Sequence, residues 1–221
     1  MKVKPPLFVI FDLDGTLIDS DATVIEIINQ IRVEQFLDPL LDHEIRPFLA
    51  NGGTHLIKNT ITNTNCEEKN TQILNLLRTK YFNMNTRDCL YPDVHNALKR
   101  LITHHFQLFL CTNKANFLVR KILKDLHLHN YFTRIIADGD LDTRKPNSEN
   151  FFACLEGLEF ELNKCIIIGD SAIDMELAKN SGVAFCAFNN GYNEKFILEN
   201  TVKYFDRYQK LTPKFISQQI G

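Results

Sequence analysis

Short, largely apolar runs punctuate the chain at Leu7 to Phe11, Phe106 to Cys111, Arg134 to Ala137, Cys165 to Ile168 and Val183 to Phe188. Their apolarity is continuous rather than alternating and rich in β-branched and aromatic residues, which predicts strands covered on both faces, as in a parallel sheet. Between them the spacing changes to that of helices. Asp93 to Leu101 places Val94, Ala97, Leu98 and Leu101 on one face, and Phe117 to Leu126 does the same with Leu118, Ile122, Leu123 and Leu126. Ser148 can cap a helix that buries Phe151, Phe152 and Leu155, and Ile173 to Ala178 repeats the pattern. From about residue 90 onward strand and helix alternate, which predicts a doubly wound α/β sheet.

Residues 19–88 break this alternation. Val24, Ile27, Ile28 and Ile31, and later Ile73, Leu74, Leu76 and Leu77, have helical spacing, and no run between them reads as a strand. About 70 residues is too long for a connecting loop, so the segment reads as a helical domain inserted after the first strand. The predicted division is an α/β core of residues 1–18 and 89–221 and a helical cap of residues 19–88, with a polar loop over Asn59 to Asn70. In the tail from Lys203 to Gly221, the apolar residues Tyr204, Phe205, Leu211, Phe215 and Ile216 predict an edge strand and a closing helix. The same aromatics could serve a dimer surface, so monomer and homodimer both stay open.

Composition narrows the class. The chain has 221 residues with 25 Lys plus Arg against 27 Asp plus Glu, so a net charge of −2 provides no basic excess for coating nucleic acid. No apolar stretch approaches the roughly 20 residues that cross a bilayer, and Lys2 to Pro6 followed by a short apolar run does not make a signal peptide. The six cysteines form no C-x-x-C pair and sit mostly among apolar neighbours, as packed thiols do. His104, His105 and His127 lack carboxylate-rich ligand spacing and predict exposed or capping roles. These features lead to the expectation of a reduced, soluble, cytoplasmic protein with no membrane or nucleic-acid partner.

Chemistry concentrates where the predicted strands end. The first strand runs into Asp12-Leu13-Asp14-Gly15-Thr16, placing two carboxylates at a buried strand exit, which is costly without a compensating cation or partner. Carboxyl ends of strands are also where doubly wound sheets bind ligands. The second strand exits at Thr112-Asn113-Lys114, Lys145-Pro146 lies in a polar loop before a helix, and a further strand ends in Gly169-Asp170 with Asp174 four residues beyond Asp170. Asp174 would lie in the first turn of its helix, able to cap backbone amides and to face Asp170. A cluster of carboxylates without histidine or cysteine is the ligand chemistry of a hard cation such as Mg²⁺, bound together with a substrate phosphate.

These four stretches, in this order, resemble the motifs of the haloacid dehalogenase superfamily of phosphohydrolases, and specifically its phosphoglycolate phosphatase branch. Tyr91-Pro92-Asp93-Val94, Ala178 to Val183 and Asn190-Gly191-Tyr192-Asn193 are also typical of that branch, and the resemblance runs from residue 7 to about 193. It implies Asp12 as nucleophile, forming an aspartyl-phosphate, and Asp14 as general acid and base. Mg²⁺ would be held by Asp12, the Asp14 carbonyl and Asp170, with Asp174 orienting that shell. Thr112, Asn113 and Lys145 would hold the phosphate, with backbone donors from Gly15 and Thr16.

The resemblance also makes the inserted helices a cap, with Phe48 to Gly53 as its substrate-facing loop. Arg46, Lys58, Asn51 and the Gly52-Gly53 pair are then the expected contacts to a small phosphorylated metabolite, although Gly52-Gly53 equally reads as a plain turn between helices. The implied activity is a Mg²⁺-dependent phosphatase acting on a small phosphomonoester. A pyrophosphatase, sugar-phosphate phosphatase, nucleotidase or phosphomutase on the same scaffold, or a non-catalytic binding module, are the competing readings. Asn147-Ser148 after Lys145-Pro146 departs from the family pattern, altering the helix entry but not the lysine.

Overall fold

A computed structural model describes residues 7–62, 66–192 and 202–220, with residues 50 and 51 described in backbone only. Asn193, Gly221 and the centre of the polar loop before residue 67 lie outside the described residues. Among the described residues six strands form one sheet in the order β3-β2-β1-β4-β5-β6, with every neighbouring pair parallel. They are β1 (Phe8–Phe11), β2 (Gln107–Ala115), β3 (Arg134–Asp138), β4 (Cys165–Gly169), β5 (Ala184–Phe188) and β6 (Tyr204–Phe205).

The central strands are covered on both faces, as their uninterrupted apolarity requires. Val9 and Phe11 face one core cluster with Leu108, Leu110, Ile166 and Ile168. Phe8 and Ile10 face the other with Phe109, Ile167 and Phe151. Each such fully buried side chain contributes roughly 1.5–3 kcal/mol relative to exposure, which makes β1 and its two neighbours a rigid platform for whatever follows their carboxyl ends. Helices α5 (Val94–Thr103), α6 (Asn116–Asp125), α7 (Glu149–Leu155) and α8 (Ala172–Ser181) make the crossovers.

Two local expectations change. Strand β2 continues past Cys111 to Ala115, with a shift of register between those residues, because the backbone goes on pairing with β3 after the apolar run ends. Ser148 precedes α7 but makes no side-chain cap; Asn147 Oδ1 takes that part, accepting from Glu149 N at 2.9 Å. Ser148 has helical backbone, φ −63° and ψ −19°, instead of the extended conformation from which an N-cap side chain turns back to the first amides.

Between β1 and α5 lie α1 (Asp21–Glu34), α2 (Asp42–Ile45), α3 (Gly53–Thr60) and α4 (Glu67–Asn83). The polar loop expected over Asn59 to Asn70 is narrower than that, since α3 runs to Thr60 and α4 starts at Glu67. This insert leaves and rejoins the sheet at one point: Ile18 bridges Leu90 antiparallel, and Asp19 N donates to Cys89 O at 2.6 Å. The tail forms β6 and a final helix, α9 (Pro213–Gln219), and Phe205, Tyr208, Leu211 and Ile216 are buried against the core. His105 and His127 occupy left-handed backbone at helix ends, a capping role. No helix among the described residues is long and apolar enough to cross a membrane.

Candidate active site

Strand β1 delivers Asp12 to the carboxyl edge of the sheet, where its N–H donates to Ile168 O at 2.9 Å. The chain then winds tightly: Leu17 N and Ile18 N both donate to Leu13 O, at 2.8 and 3.1 Å. Gly15 has φ +74°, and a Cβ there would lie 2.4 Å from Asp170 Oδ2. Only glycine meets both the left-handed backbone and the close approach of that carboxylate. Thr16 is buried and donates to Asp170 Oδ1 at 3.1 Å, while its carbonyl accepts from Tyr208 Oη at 2.5 Å. Gly15 and Thr16, expected to contact phosphate, thus stand behind Asp170, and neither lines the cavity.

Strand β4 and the start of α8 bring in the other acids. Carboxylate oxygens of Asp12, Asp170 and Asp174 all lie within 4.8 Å of one another. Lys145 Nζ sits 2.8 Å from Asp12 Oδ1 and 2.7 Å from Asp174 Oδ1. Asp174 also closes a capping box, its Oδ2 accepting from Ser171 Oγ at 2.6 Å and Ser171 N at 3.2 Å. A Cβ on Gly169 would come within 2.3 Å of Asp174 Cγ. Gly169→Ala is therefore expected to displace Asp174, costing about 1–3 kcal/mol as overpacking does, with a lower melting temperature as the readout.

Burial pushes the Asp12 carboxyl up to about 7, opposed by Lys145 and reinforced by Asp174. Asp170 is raised well above the usual carboxylate value, first by burial and then by Asp174 and Asp12. Burial works against the charge of Lys145, but Asp12 and Asp174 outweigh it and hold the ammonium above its ordinary value. One buried lysine cannot balance three clustered carboxylates, and oxygen-only donors suit a hard divalent cation. The residues present therefore fit the cation expected from the sequence.

Asp14 has separate support. Its Oδ1 accepts from Lys114 Nζ at 2.8 Å and from Ser20 Oγ at 2.5 Å. Ser20 Oγ in turn lies 2.9 Å from Tyr192 Oη, and Tyr192 N donates to Asp170 Oδ2 at 2.8 Å, so one chain of polar contacts joins the two acids. Lys114 also lies 4.0 Å from the Tyr81 ring centroid, a contact between core and cap. Burial disfavours its charge, yet Asp14 and Tyr81 keep its ammonium above the ordinary lysine value. Sequence reasoning gave Lys114 no role; its place directly after Asn113 at a strand exit was the available signal.

Thr112 lines the cavity, its Oγ1 accepting from Lys114 N at 3.3 Å. Asn113 clamps the lysine loop, accepting from Lys145 N at 2.9 Å and donating to Lys145 O at 3.1 Å. The cavity holds about 100 Å³ and lies between the sheet edge and the cap, whose Leu49, Gly52, Gly53, Leu74 and Arg78 line it. The Gly52-Gly53 pair is thus both a turn into α3 and a wall of the site.

Of the other cap expectations, Arg46 and Lys58 stand away from the cavity, and that for Asn51 falls on a side chain outside the described residues. Arg46 does not line the cavity; it pairs with Asp21, and with Asp42 at 3.8 Å, because acids at the starts of α1 and α2 lie nearer. Lys58 is exposed on α3, whose inward positions are Leu56, Ile57 and Thr60. Asn51 ends the 3₁₀ turn before Gly52, and its side chain lies outside the described residues. Arg78 of α4, which sequence reasoning passed over, is the cap cation that lines the cavity.

A parallel sheet with a helical insert after its first strand, and acids with a buried lysine at its carboxyl edge, define a capped, doubly wound α/β protein with a candidate active site at the sheet edge. The chain belongs to the haloacid dehalogenase-like hydrolases, whose family model matches residues 9–188, and it is a phosphatase of that family. A phosphoglycolate phosphatase of Rhodobacter capsulatus is 31% identical over 203 residues, covering 89% of this chain and 91% of the relative. A phosphoglycolate phosphatase of Pseudomonas fluorescens is 28% identical over 193 residues, covering 85% and 71%. Among solved structures, one described as a predicted phosphoglycolate phosphatase from Haemophilus somnus shares the fold with a TM-score of 0.82 at 22% identity, covering 93% of this chain and 96% of that one.

Proposed function

We propose that the protein is a Mg²⁺-dependent phosphatase that hydrolyses a small phosphomonoester, of the phosphoglycolate phosphatase kind, through an aspartyl-phosphate on Asp12. The observation that carries this reading is the pairing of two differently supported aspartates at one cavity: Asp12 against Lys145, and Asp14 against Lys114 and Ser20. The names of the curated relatives point to the same substrate class.

In this reading an Asp12 carboxylate oxygen attacks phosphorus and the bond from phosphorus to the ester oxygen breaks. Asp14, protonated at that moment, gives its proton to the departing alcohol. Asp14 then takes a proton from water as the water attacks phosphorus, the bond to Asp12 breaks and inorganic phosphate leaves. Oδ1 of Asp14 is tethered by Lys114 and Ser20, which restricts the group's rotation about the cavity. Lys145 and the Thr112 hydroxyl supply donors to the transferring phosphoryl oxygens. Asp12, Asp170 and the Asp14 carbonyl would hold Mg²⁺, with Asp174 acting on that shell through Lys145. Bound there, the ion supplies positive charge that lets an anionic carboxylate meet an anionic ester. The cap, treated as residues 19–88, closes the cavity over these groups and excludes water.

The test is a panel of phosphorylated metabolites, 2-phosphoglycolate included, with Mg²⁺ or with chelator. Hydrolysis is expected only with Mg²⁺, and Asp14→Asn is expected to lower kcat by at least about 10²-fold, the usual contribution of a general acid and base. Mg²⁺ should also raise the melting temperature of the native chain at pH 8, since a ligand bound only to the folded state stabilises it by mass action. Turnover that is indifferent to chelation would overturn the metal assignment.

A further inference from the structure

Three cations line the cavity among the described residues, and two of them are committed to the proposed catalytic carboxylates. Lys145 is held between Asp12 and Asp174, and Lys114 is held by Asp14. The third, Arg78, comes from α4 of the cap and reaches across to Asp138 at the end of β3, with 3.4 Å between Nη2 and Oδ2. That contact is the weakest that Asp138 makes. Arg144 already engages both of its carboxylate oxygens, Nε to Oδ1 at 2.7 Å and Nη2 to Oδ2 at 3.1 Å.

Asp138 therefore keeps a two-point partner if Arg78 turns away, and Arg78 gives up a single long contact in doing so. Arg78 is part-buried, its side chain 29% exposed, in a cap wall that is mostly apolar, with Leu49, Leu56, Leu74 and Leu77 beside Thr54 and Tyr81. A guanidinium in such apolar surroundings binds a planar anion more strongly than an exposed one does.

We infer that Arg78 is the specificity residue of this site, receiving a second anionic group, a carboxylate, of the phosphoester substrate. The inference rests on the phosphatase reading and adds to it the residue that would tell a short phosphorylated hydroxy acid from a neutral alcohol phosphate. The cavity of about 100 Å³ favours the compact carboxylate over a second phosphoryl group or a sugar. The position of Arg78 on the cap also ties recognition to closure, since the anion would replace Asp138 as the group that the cap cation meets across the gap.

The experiment compares kcat/KM for 2-phosphoglycolate with that for 2-hydroxyethyl phosphate, which replaces the carboxylate by a neutral alcohol, in the full native chain and in Arg78→Ala and Arg78→Lys. The native chain is expected to prefer the acid. In Arg78→Ala that preference should fall by about 10- to 100-fold, chiefly through KM, as expected for loss of a charge-assisted hydrogen bond. Arg78→Lys should retain part of the preference, because the charge remains while the fork geometry is lost. A native chain that hydrolyses both esters without preferring the acid overturns the inference and leaves the phosphatase reading standing. A native chain that hydrolyses neither overturns both. Equal losses on the two esters in Arg78→Ala make Arg78 a general cap contact and also overturn the inference; should that variant not fold, the Arg78→Lys ratio decides.

Discussion

Asp12→Asn is expected to reduce Mg²⁺-dependent phosphate release by about 10⁴-fold or more while leaving the fold intact, the scale on which loss of an activated nucleophile is felt. The amide is nearly isosteric, and the backbone contact of Asp12 with Ile168 O does not involve the side chain. The metal-free variant should also respond differently to pH. Burial raises the native Asp12 carboxyl to about 7, above the ordinary value of 3.8. The folded state therefore holds this proton longer than the unfolded chain, and the metal-free native protein loses stability as pH climbs from about 4 to 7. The amide does not ionise, so the melting temperature of the variant relative to the native chain should rise between pH 5 and pH 8. Mass spectrometry of the native enzyme quenched during turnover should place a phosphoryl group on the Asp12 peptide. Native-like turnover by Asp12→Asn would sink the aspartyl-phosphate route.

Lys145→Met should combine the largest loss of stability with a second large loss of activity. Lys145 is buried and ion-paired with both Asp12 and Asp174, so its removal leaves carboxylates facing one another without their protein cation. Breaking a buried pair in this way costs about 3–5 kcal/mol. The cost should be greatest at pH 8 and smaller at pH 5, because Asp12, whose carboxyl burial already pushes up to about 7, escapes the repulsion by taking up a proton. Urea unfolding at both pH values, without metal, measures the difference. With Mg²⁺ present the variant should recover part of this stability but not its rate, since the transferring phosphoryl group has lost a donor worth about 10²-fold or more. A loss of stability that is flat with pH would mean that the cluster does not depend on Lys145 for its charge balance.

The acids of the site were legible in the sequence because their signal is local. Asp12 and Asp14 follow an apolar run that can only be a buried strand, and Asp170 follows another, so the parallel order β2-β1-β4 brings both exits to one edge. Asp174 could be placed from helix geometry alone, three residues after its capping partner Ser171. The inserted helices were legible as an interruption of rhythm. Less legible were features in which backbone pairing outlasts the apolar pattern, as where β2 runs on through Thr112 and Asn113 to Ala115.

The chain's own pattern of apolar runs and strand-end carboxylates was sufficient to determine a capped α/β sheet with an acidic edge. Only the tertiary structure decided which basic groups serve that edge. Arg46 and Lys58 read from the sequence as cap donors, yet one is captured by Asp21 and the other faces solvent. Lys114 meets Asp14 across 100 residues because β2 pairs with β1, and Arg78 meets Asp138 across 60 because α4 packs against α6, which itself packs on β3. Periodicity states which face of a helix is buried, but the partner of a long, flexible cationic side chain depends on where that face comes to rest.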